Sequence, residues 1–199
     1  MNSSKRIWFI AFVVSLGGFL FGFDAGIISG VMVYVEPQFD LSDLQSGWAV
    51  SSPTFSAMFA MLIAGKLSDR IGRKKSLLIV AFLYALSALY SAYAPTFTIL
   101  WVTRMIGGLA FGSALVLVPT YIAEISVPED RGKLVSIQQL NIVFGFFAAF
   151  ICNYYLNGIY TSGASFATEE TVWRWMLGIE FVPAMFYLSM LFFVPKSPR

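Results

Sequence analysis

Three ionisable residues lie inside apolar stretches of the sequence, and their types and spacing could support chemistry. Asp24, Arg104 and Glu180 each interrupt a run long enough to cross a membrane. A charge in hydrocarbon is costly unless it faces a cavity or a partner, so each residue is a candidate functional group. At about 1.5 Å per residue, all three lie roughly 10–14 Å below the predicted outer ends of their helices. Three charges at one depth can meet.

The chemistry open to these three residues is the binding and release of a proton. A guanidinium stabilises a neighbouring carboxylate in its ionised form, whereas burial disfavours that form. A movement that separates Asp24 from Arg104 would therefore favour proton uptake, and Glu180 could then compete for Arg104. The alternative is a buried ion-pair network that only joins three helices. The chain has no histidine, so a proton relay would have to use carboxylates.

The elements that position these residues follow from the composition. Hydrophobic residues make up 58% of the 199 residues and charged residues only 12%, against roughly 25% charged in soluble domains. A helix needs about 20 apolar residues to cross the hydrocarbon. Six stretches qualify, at about 7–33, 47–67, 76–95, 97–121, 134–156 and 173–194. We predict an all-α membrane protein with six transmembrane helices, joined by long loops only at 34–46 and 157–172.

The distribution of charge predicts the orientation of these helices. Basic residues precede span 1, occupy the loop 65–75, lie between spans 4 and 5, and follow span 6. The opposite side is acidic, and Arg174 is its only basic residue. By the positive-inside rule, both termini are predicted to be cytoplasmic. Spans 1–3 and 4–6 then have opposite topology, as in the inverted repeats of secondary transporters. The net charge of +2 gives no indication of a nucleic-acid partner.

Span 1 has two different faces. Glycines recur every four residues, at positions 18, 22, 26 and 30, and such stripes let helices approach closely in lipid. At 100° per residue, Asp24 lies about 180° from the middle of the stripe, with Phe21 and Ile28 on its own face. One side is predicted to pack, and the other presents a carboxylate to something other than lipid.

Several segments together resemble the sugar porter family of the major facilitator superfamily, in its proton-linked symporter form. They are GGFLFGFDAGIISG (17–30), GKLSDRIGRKK (65–75), RMIGGLAFG (104–112), PTYIAEISVPEDRGKLVSIQQLNIVFG (119–145) and the ending VPKSPR. The resemblance covers essentially the whole chain. Because family members have twelve spans, it implies that residues 1–199 form the N-terminal six-helix bundle of a major facilitator fold, a 3+3 inverted repeat whose C-terminal half is absent.

The resemblance implies transport of a sugar or related polyol by proton symport with alternating access, in the plasma (inner) membrane. It assigns proton coupling to Asp24, Arg104 and Glu180. It assigns sugar contacts to Phe21, Gln139 and Ile142. An amide suits a polyol because it offers both donors and acceptors. Gln138 and Gln139 lie about 100° apart on a helix, so only one is expected to face a cavity, and we favour Gln139.

The same resemblance makes the loop between spans 2 and 3 a cytoplasmic gate. Its residues would be Gly65, Asp69, Arg70, Gly72 and Arg73, with Glu124 and Arg131 as partners at the inner ends of helices 4 and 5. The alternative is that the basic residues only anchor the loop at the lipid headgroups. We expect that simpler role for Lys74 and Lys75.

Two other functions remain open alongside proton symport. One is passive facilitation of a sugar or another small polar solute, and the other is a non-transporting membrane module that pairs with a partner half. Lys196 stands where the family motif usually has an acid. The expected partners are a sugar, a proton, the lipid bilayer and the missing C-terminal six-helix half, without nucleic acid.

Enzymatic chemistry is not predicted. The sequence shows no nucleophile–base pair, metal cluster or nucleotide loop, so we expect no metal, no cofactor and no catalytic residues. Cys152 is the only cysteine and lies within span 5, so no disulfide can form within the chain. The five tryptophans lie near span ends and are expected in the interfacial belt; they are residues 8, 48, 101, 173 and 175.

Overall fold

The computed structural model describes residues 3–163 and 167–195, with side chains from Arg6 onward. All regular structure in these residues is helical. The helices are α1 (Ser3–Phe39), α2 (Asp43–Ile71), α3 (Arg73–Ala92), α4 (Phe97–Ile125), α5 (Arg131–Thr161), α6 (Val172–Gly178) and α7 (Phe181–Phe192). Six spans are long and apolar enough to cross a membrane, with α6 and α7 forming one, Val172–Phe192. The predicted all-α fold with six transmembrane helices is confirmed, while Lys196 and the end of VPKSPR lie outside the described residues.

At the end of the bundle opposite the loop 65–75, named the outer end after the predicted orientation, the helices extend beyond their apolar stretches. The two predicted long loops were therefore wrong in extent. The first shortens to residues 40–42 and the second to 162–171. Ser42 and Gln45 form a capping box that begins α2 directly after the first turn, which satisfies free backbone donors without a longer loop. At the same outer end, Tyr34 donates a 2.5 Å hydrogen bond to Asn157 and joins the extended ends of α1 and α5.

The predicted glycine stripe of α1 forms a close seam with α5, and the two helices run parallel. Gly18 lies against Gln138, and farther along both helices Gly30 lies against Asn153. A Cβ atom placed on Gly22 would lie 2.0 Å from the carbonyl oxygen of Ile142. The backbones therefore touch, which only glycine permits at this position.

A second glycine seam joins α4 to α2, and these helices also run parallel. Gly108 lies against Pro53, and Gly112 lies against Ala57 one turn farther along both helices. Exchanging α1 with α4 and α5 with α2 maps the first seam onto the second. The packing thus shows the relationship expected of an inverted repeat, which the sequence similarity between the two triplets was too weak to show.

Helix α3 runs antiparallel to its neighbours α4 and α7. On α4, Thr103 contacts both Ser87 and Ser91 of α3 through hydrogen bonds of 2.6 and 2.9 Å. On α7, Lys74 donates to the Phe192 carbonyl at the opposite end of the helix pair. Odd and even spans therefore run in opposite directions, so the start of the first described span and the end of the last lie on the same side of the bundle. Lys74 therefore has a protein partner at the end of α7, and its anchoring at the lipid headgroups stays a prediction.

The sixth span is broken in the middle, although the sequence predicted one continuous helix. Pro183 has no N–H group to donate to the carbonyl of Ile179, one turn before it. Val182 instead donates to Ile179 over three residues, and Ala184 resumes the four-residue pattern by donating to Glu180. The break places Glu180 at the junction of α6 and α7.

The outer end of the sixth span is tied to α1 and α3. Trp173 is fully buried and donates to the Gln38 side chain at 2.5 Å, so its expected place in the interfacial belt was wrong. The guanidinium of Arg174 lies over the Trp173 ring, 4.3 Å from its centroid. It also donates to the carbonyls of Ala92 and Ala94, which satisfies acceptors that the end of α3 leaves free.

Candidate functional site

The structure brings together the three buried charges that the sequence placed at one depth. Nη2 of Arg104 donates to Oδ2 of Asp24 at 3.1 Å. Nη1 of Arg104 lies 3.9 Å from Oε1 of Glu180. The exposed fractions are 6% for Asp24, 4% for Arg104 and 3% for Glu180. These residues join α1, α4 and the break in the sixth span.

Tyr84 is a fourth member of this cluster that the sequence analysis missed. Its hydroxyl lies 3.0 Å from Oε2 of Glu180 and 3.1 Å from the Leu20 carbonyl oxygen. Tyr84 lies eight residues before Ala92, the last residue of α3, or about 12 Å below the outer end. This is the same depth as that of Asp24, so the depth of polar side chains, and not of charged ones alone, is the signal in the sequence that indicates Tyr84.

The cluster holds two carboxyl groups and one guanidinium, so its formal charge is −1 when both carboxyls are ionised. A net charge removed from water is costly. Two of its atoms, Nε of Arg104 and Oε1 of Glu180, have no hydrogen-bond partner within the described part of the chain. Adding one proton would neutralise the cluster, so the arrangement is chemically suited to bind and release a proton.

The structure places the expected sugar-contacting residues along α1 and α5. Phe21 is partly buried, and its ring packs on Phe111 with centroids 5.0 Å apart. Ile142 packs against Gly22, the next residue after Phe21.

The two neighbouring glutamines of α5 face in different directions. Gln138 is buried in the glycine seam against Gly18, whereas Gln139 is exposed. This is the arrangement required if Gln138 bridges the helices and Gln139 faces a cavity. It leaves the amide of Gln139 available to a ligand.

At the other end of the bundle, Arg73 is the centre of the expected gate. It forms ion pairs with Asp69, one turn earlier in sequence, and with Glu124 near the end of α4, at 3.0 Å. Its guanidinium also donates to the hydroxyl of Ser68 and, at 3.3 Å, to the Gly65 carbonyl. One side chain therefore holds the ends of α2, α3 and α4 together.

The remaining residues assigned to the gate divide into two groups. Gly72 has a φ of 93° between α2 and α3, a backbone conformation that favours glycine, so it forms the sharp turn that positions Arg73. Arg70 and Arg131 are both exposed, and neither forms an ion pair with another residue that the structure describes. The structure therefore does not bring these two arginines into the Arg73 network.

The described residues contain no group of three or more His, Cys, Asp or Glu side chains that could hold a metal ion. Asp24 and Glu180 are the carboxyls of the cluster, and the guanidinium of Arg104 contacts both of them.

Comparisons with known proteins match the whole length of the chain. The sequence model of the family described as "Sugar (and other) transporter" matches residues 10–199. A D-xylose transporter of Levilactobacillus brevis is 40% identical over 191 residues, which are 96% of this chain and 40% of the relative. A galactose-proton symporter of Escherichia coli K12 is 37% identical over 198 residues, all of this chain and 40% of the relative.

A solved structure gives the same result for the fold. The proton:xylose symporter XylE of the major facilitator superfamily, bound to 6-bromo-6-deoxy-D-glucose, matches with a TM-score of 0.91 at 32% identity. The match covers 99% of this chain and 46% of that one. The chain thus spans less than half the length of these similar proteins.

Proposed function

Because the chain belongs to the sugar transporter family of the major facilitator superfamily, we propose that it forms the N-terminal half of a proton-coupled sugar carrier. The observation that carries this proposal is the buried cluster of Asp24, Arg104 and Glu180. A passive carrier has no need of a buried group that can exchange a proton. Two of the similar proteins are named for proton-linked transport, of galactose and of xylose.

The ion pair between Asp24 and Arg104 couples proton binding to helix movement in this proposal. Asp24 lies on α1 and Arg104 on α4, the first helices of the two inverted repeats. Protonation of Asp24 would remove its negative charge and weaken its hold on Arg104. Arg104 could then move closer to Glu180, across the present separation of 3.9 Å. This change at the contact between α1 and α4 would be transmitted to the movement of one six-helix half against the other, as alternating access requires.

Sugar binding would occur close to this proton site. Phe21 lies three residues before Asp24 on the same helix, and Ile142 of α5 packs against Gly22, the residue after Phe21. Gln139 would supply donors and acceptors for sugar hydroxyls. Transporters of this class bind substrate between their two halves, so we propose that a C-terminal six-helix half supplies the opposite wall. The names of the relatives favour a monosaccharide as substrate.

The Arg73 network would act as a gate on the cytoplasmic side. The basic loop 65–75 and the positive-inside rule favour this orientation, with both termini cytoplasmic and the protein in the inner membrane. Asp69 and Glu124 bind one guanidinium from two helices, so the network would open only when those helices separate. We propose no enzymatic activity, in keeping with the transport function of the family.

The decisive experiment joins this chain to the C-terminal half of the L. brevis relative and reconstitutes the chimera in proteoliposomes. Adding D-xylose outside should cause sugar uptake together with alkalinisation of the medium, measured with a pH-sensitive dye. Uptake without alkalinisation would indicate a passive facilitator. Proteoliposomes with the 199-residue chain alone are the control, and equal uptake by them would contradict the need for a second half.

A further inference from the structure

We propose that Tyr84 is a positioning residue that keeps Glu180 hydrogen-bonded in both its ionised and its protonated form. The consequence for transport rests on the proposed function. The hydrogen bonds themselves can be tested in the 199-residue chain without any transport measurement.

Two hydrogen-bond acceptors surround the hydroxyl of Tyr84. The Tyr84 oxygen lies 3.0 Å from Oε2 of Glu180 and 3.1 Å from the carbonyl oxygen of Leu20. A phenol has a single proton to donate, and its oxygen can also accept. Tyr84 can therefore donate its proton to only one of these two acceptors at a time. The other acceptor then receives no hydrogen bond from Tyr84.

Each form of Glu180 selects one of the two arrangements. When Glu180 is ionised, Tyr84 donates to its carboxylate. When Glu180 is protonated, its O–H donates to the Tyr84 oxygen, and the Tyr84 proton turns to the carbonyl of Leu20. The proton of Tyr84 and the proton of Glu180 each have an acceptor in both arrangements, so a change of protonation leaves neither of these two buried hydroxyl donors unsatisfied. Only the hydroxyl has to rotate.

The charges around Glu180 indicate why it needs such a partner. The groups that face it are Asp24 from α1, Tyr84 from α3 and Arg104 from α4. Asp24 has the closer contact with Arg104, at 3.1 Å against 3.9 Å for Glu180. Oε1 of Glu180 lacks a hydrogen-bond partner among the described residues. Glu180 is thus the carboxyl that can hold the neutralising proton while Asp24 keeps Arg104.

Asp24 and Glu180 exchange these roles when the proton is on Asp24. Glu180 is then ionised, receives the Tyr84 proton and becomes the anion that pairs with Arg104. One proton moves between two carboxyls, and the cluster stays neutral in both states. Leu20 lies one helical turn before Asp24, so the hydroxyl of Tyr84 also links the two carboxyl-bearing segments.

The test is an infrared pH titration of the 199-residue chain in lipid nanodiscs. Labelling all glutamates with ¹³C shifts their carboxyl bands away from the band of Asp24. The band of Glu180 is then the glutamate band that is missing in Glu180→Gln. In Tyr84→Phe, the band of protonated Glu180 should move to higher wavenumber because its hydrogen bond is lost. Its midpoint of protonation should move up by about one pH unit, because the lost bond to the ionised form is the stronger one.

The matched control is Tyr187→Phe. Tyr187 is also a buried tyrosine within a span, and among the described residues its hydroxyl donates to the Val14 carbonyl, at 3.2 Å. Its substitution should leave both the band and the midpoint unchanged. Equal shifts in the two variants, or no shift in Tyr84→Phe, would overturn the proposal.

A second variant covers the case in which Tyr84→Phe does not fold, as judged by circular dichroism. Fluorotyrosine at position 84 keeps the shape of the side chain and makes its hydroxyl a stronger donor, so the Glu180 midpoint should move to lower pH. A midpoint that stays in place contradicts the proposal. If these shifts are seen but the chimera does not transport sugar, the proposed function fails while the role of Tyr84 stands.

Discussion

Asp24 and Arg104 form a buried ion pair, 3.1 Å between Oδ2 and Nη2, that joins the first helices of two inverted repeats. It adds an ionic contact between α1 and α4 to the two glycine seams that also join these repeats. Its exposure is almost nil, so water does not screen it as it does a surface pair.

Replacing Asp24 with asparagine should uncouple sugar movement from the proton. The amide keeps the size of the side chain but cannot take up a proton, so the chimera should lose accumulation against a gradient while retaining sugar exchange. Both are measured with labelled xylose in proteoliposomes. Asp43→Asn is the control because Asp43 is exposed at the start of α2. Undiminished accumulation in Asp24→Asn would exclude the coupling role.

Removal of the positive charge of Arg104 should lower the stability of the bundle by an amount that depends on pH. Arg104→Leu leaves two buried carboxyls without their guanidinium, a change that costs about 3–5 kcal/mol for buried pairs. Protonation removes the uncompensated charge, so the loss of thermal stability should be large at neutral pH and should shrink as the pH falls. Circular dichroism melts at several pH values measure this.

The control for that prediction is Arg70→Leu, because Arg70 is exposed and forms no ion pair with a described residue. Its melting temperature should stay near that of the wild type at every pH. If the loss of thermal stability in Arg104→Leu does not depend on pH, its cause is a packing defect and not an uncompensated charge.

The glycine seams should tolerate no added methyl group. Gly22→Ala would place Cβ 2.0 Å from the Ile142 carbonyl oxygen, and Gly108→Ala would place it 2.1 Å from that of Pro53. We expect each to cost about 1–3 kcal/mol or more in the free energy of unfolding. Gly132→Ala in α5 meets nothing within 4 Å and should be neutral or slightly stabilising. Equal effects at all three positions would show that the seams are looser than the structure indicates.

Loss of the link between Arg73 and Glu124 should impair the gate more than it impairs stability. Glu124→Gln removes one charge from a partly exposed pair, for which about 1 kcal/mol is expected. Xylose uptake by the chimera should fall several-fold because the gate no longer closes firmly. Arg70→Gln lies in the same loop outside the network and should transport normally. If both variants transport alike, the network has no gating role.

Much of the fold could be predicted because a membrane restricts the choices open to a chain. Hydropathy located six spans, and a constant rise per residue placed Asp24, Arg104 and Glu180 at one depth. The four-residue spacing of glycines predicted a packing face on α1, and that face does form a seam with α5. The outer loops were overestimated because a helix can continue past its apolar stretch into water when caps satisfy its ends.

The contacts between side chains could not be predicted in the same way. They depend on how each helix is rotated and on which helix packs against it, and only the tertiary structure decides both. Tyr84 reaches Glu180 because α3 packs beside the break in the sixth span, and nothing local to either segment indicates that approach. Trp173 is buried and Arg70 is outside the gate for the same reason. The sequence by itself determined which residues lie in the membrane and at what depth, because hydrophobicity and helical rise are local properties. The tertiary structure decided which of them touch, because contact depends on two helices at once.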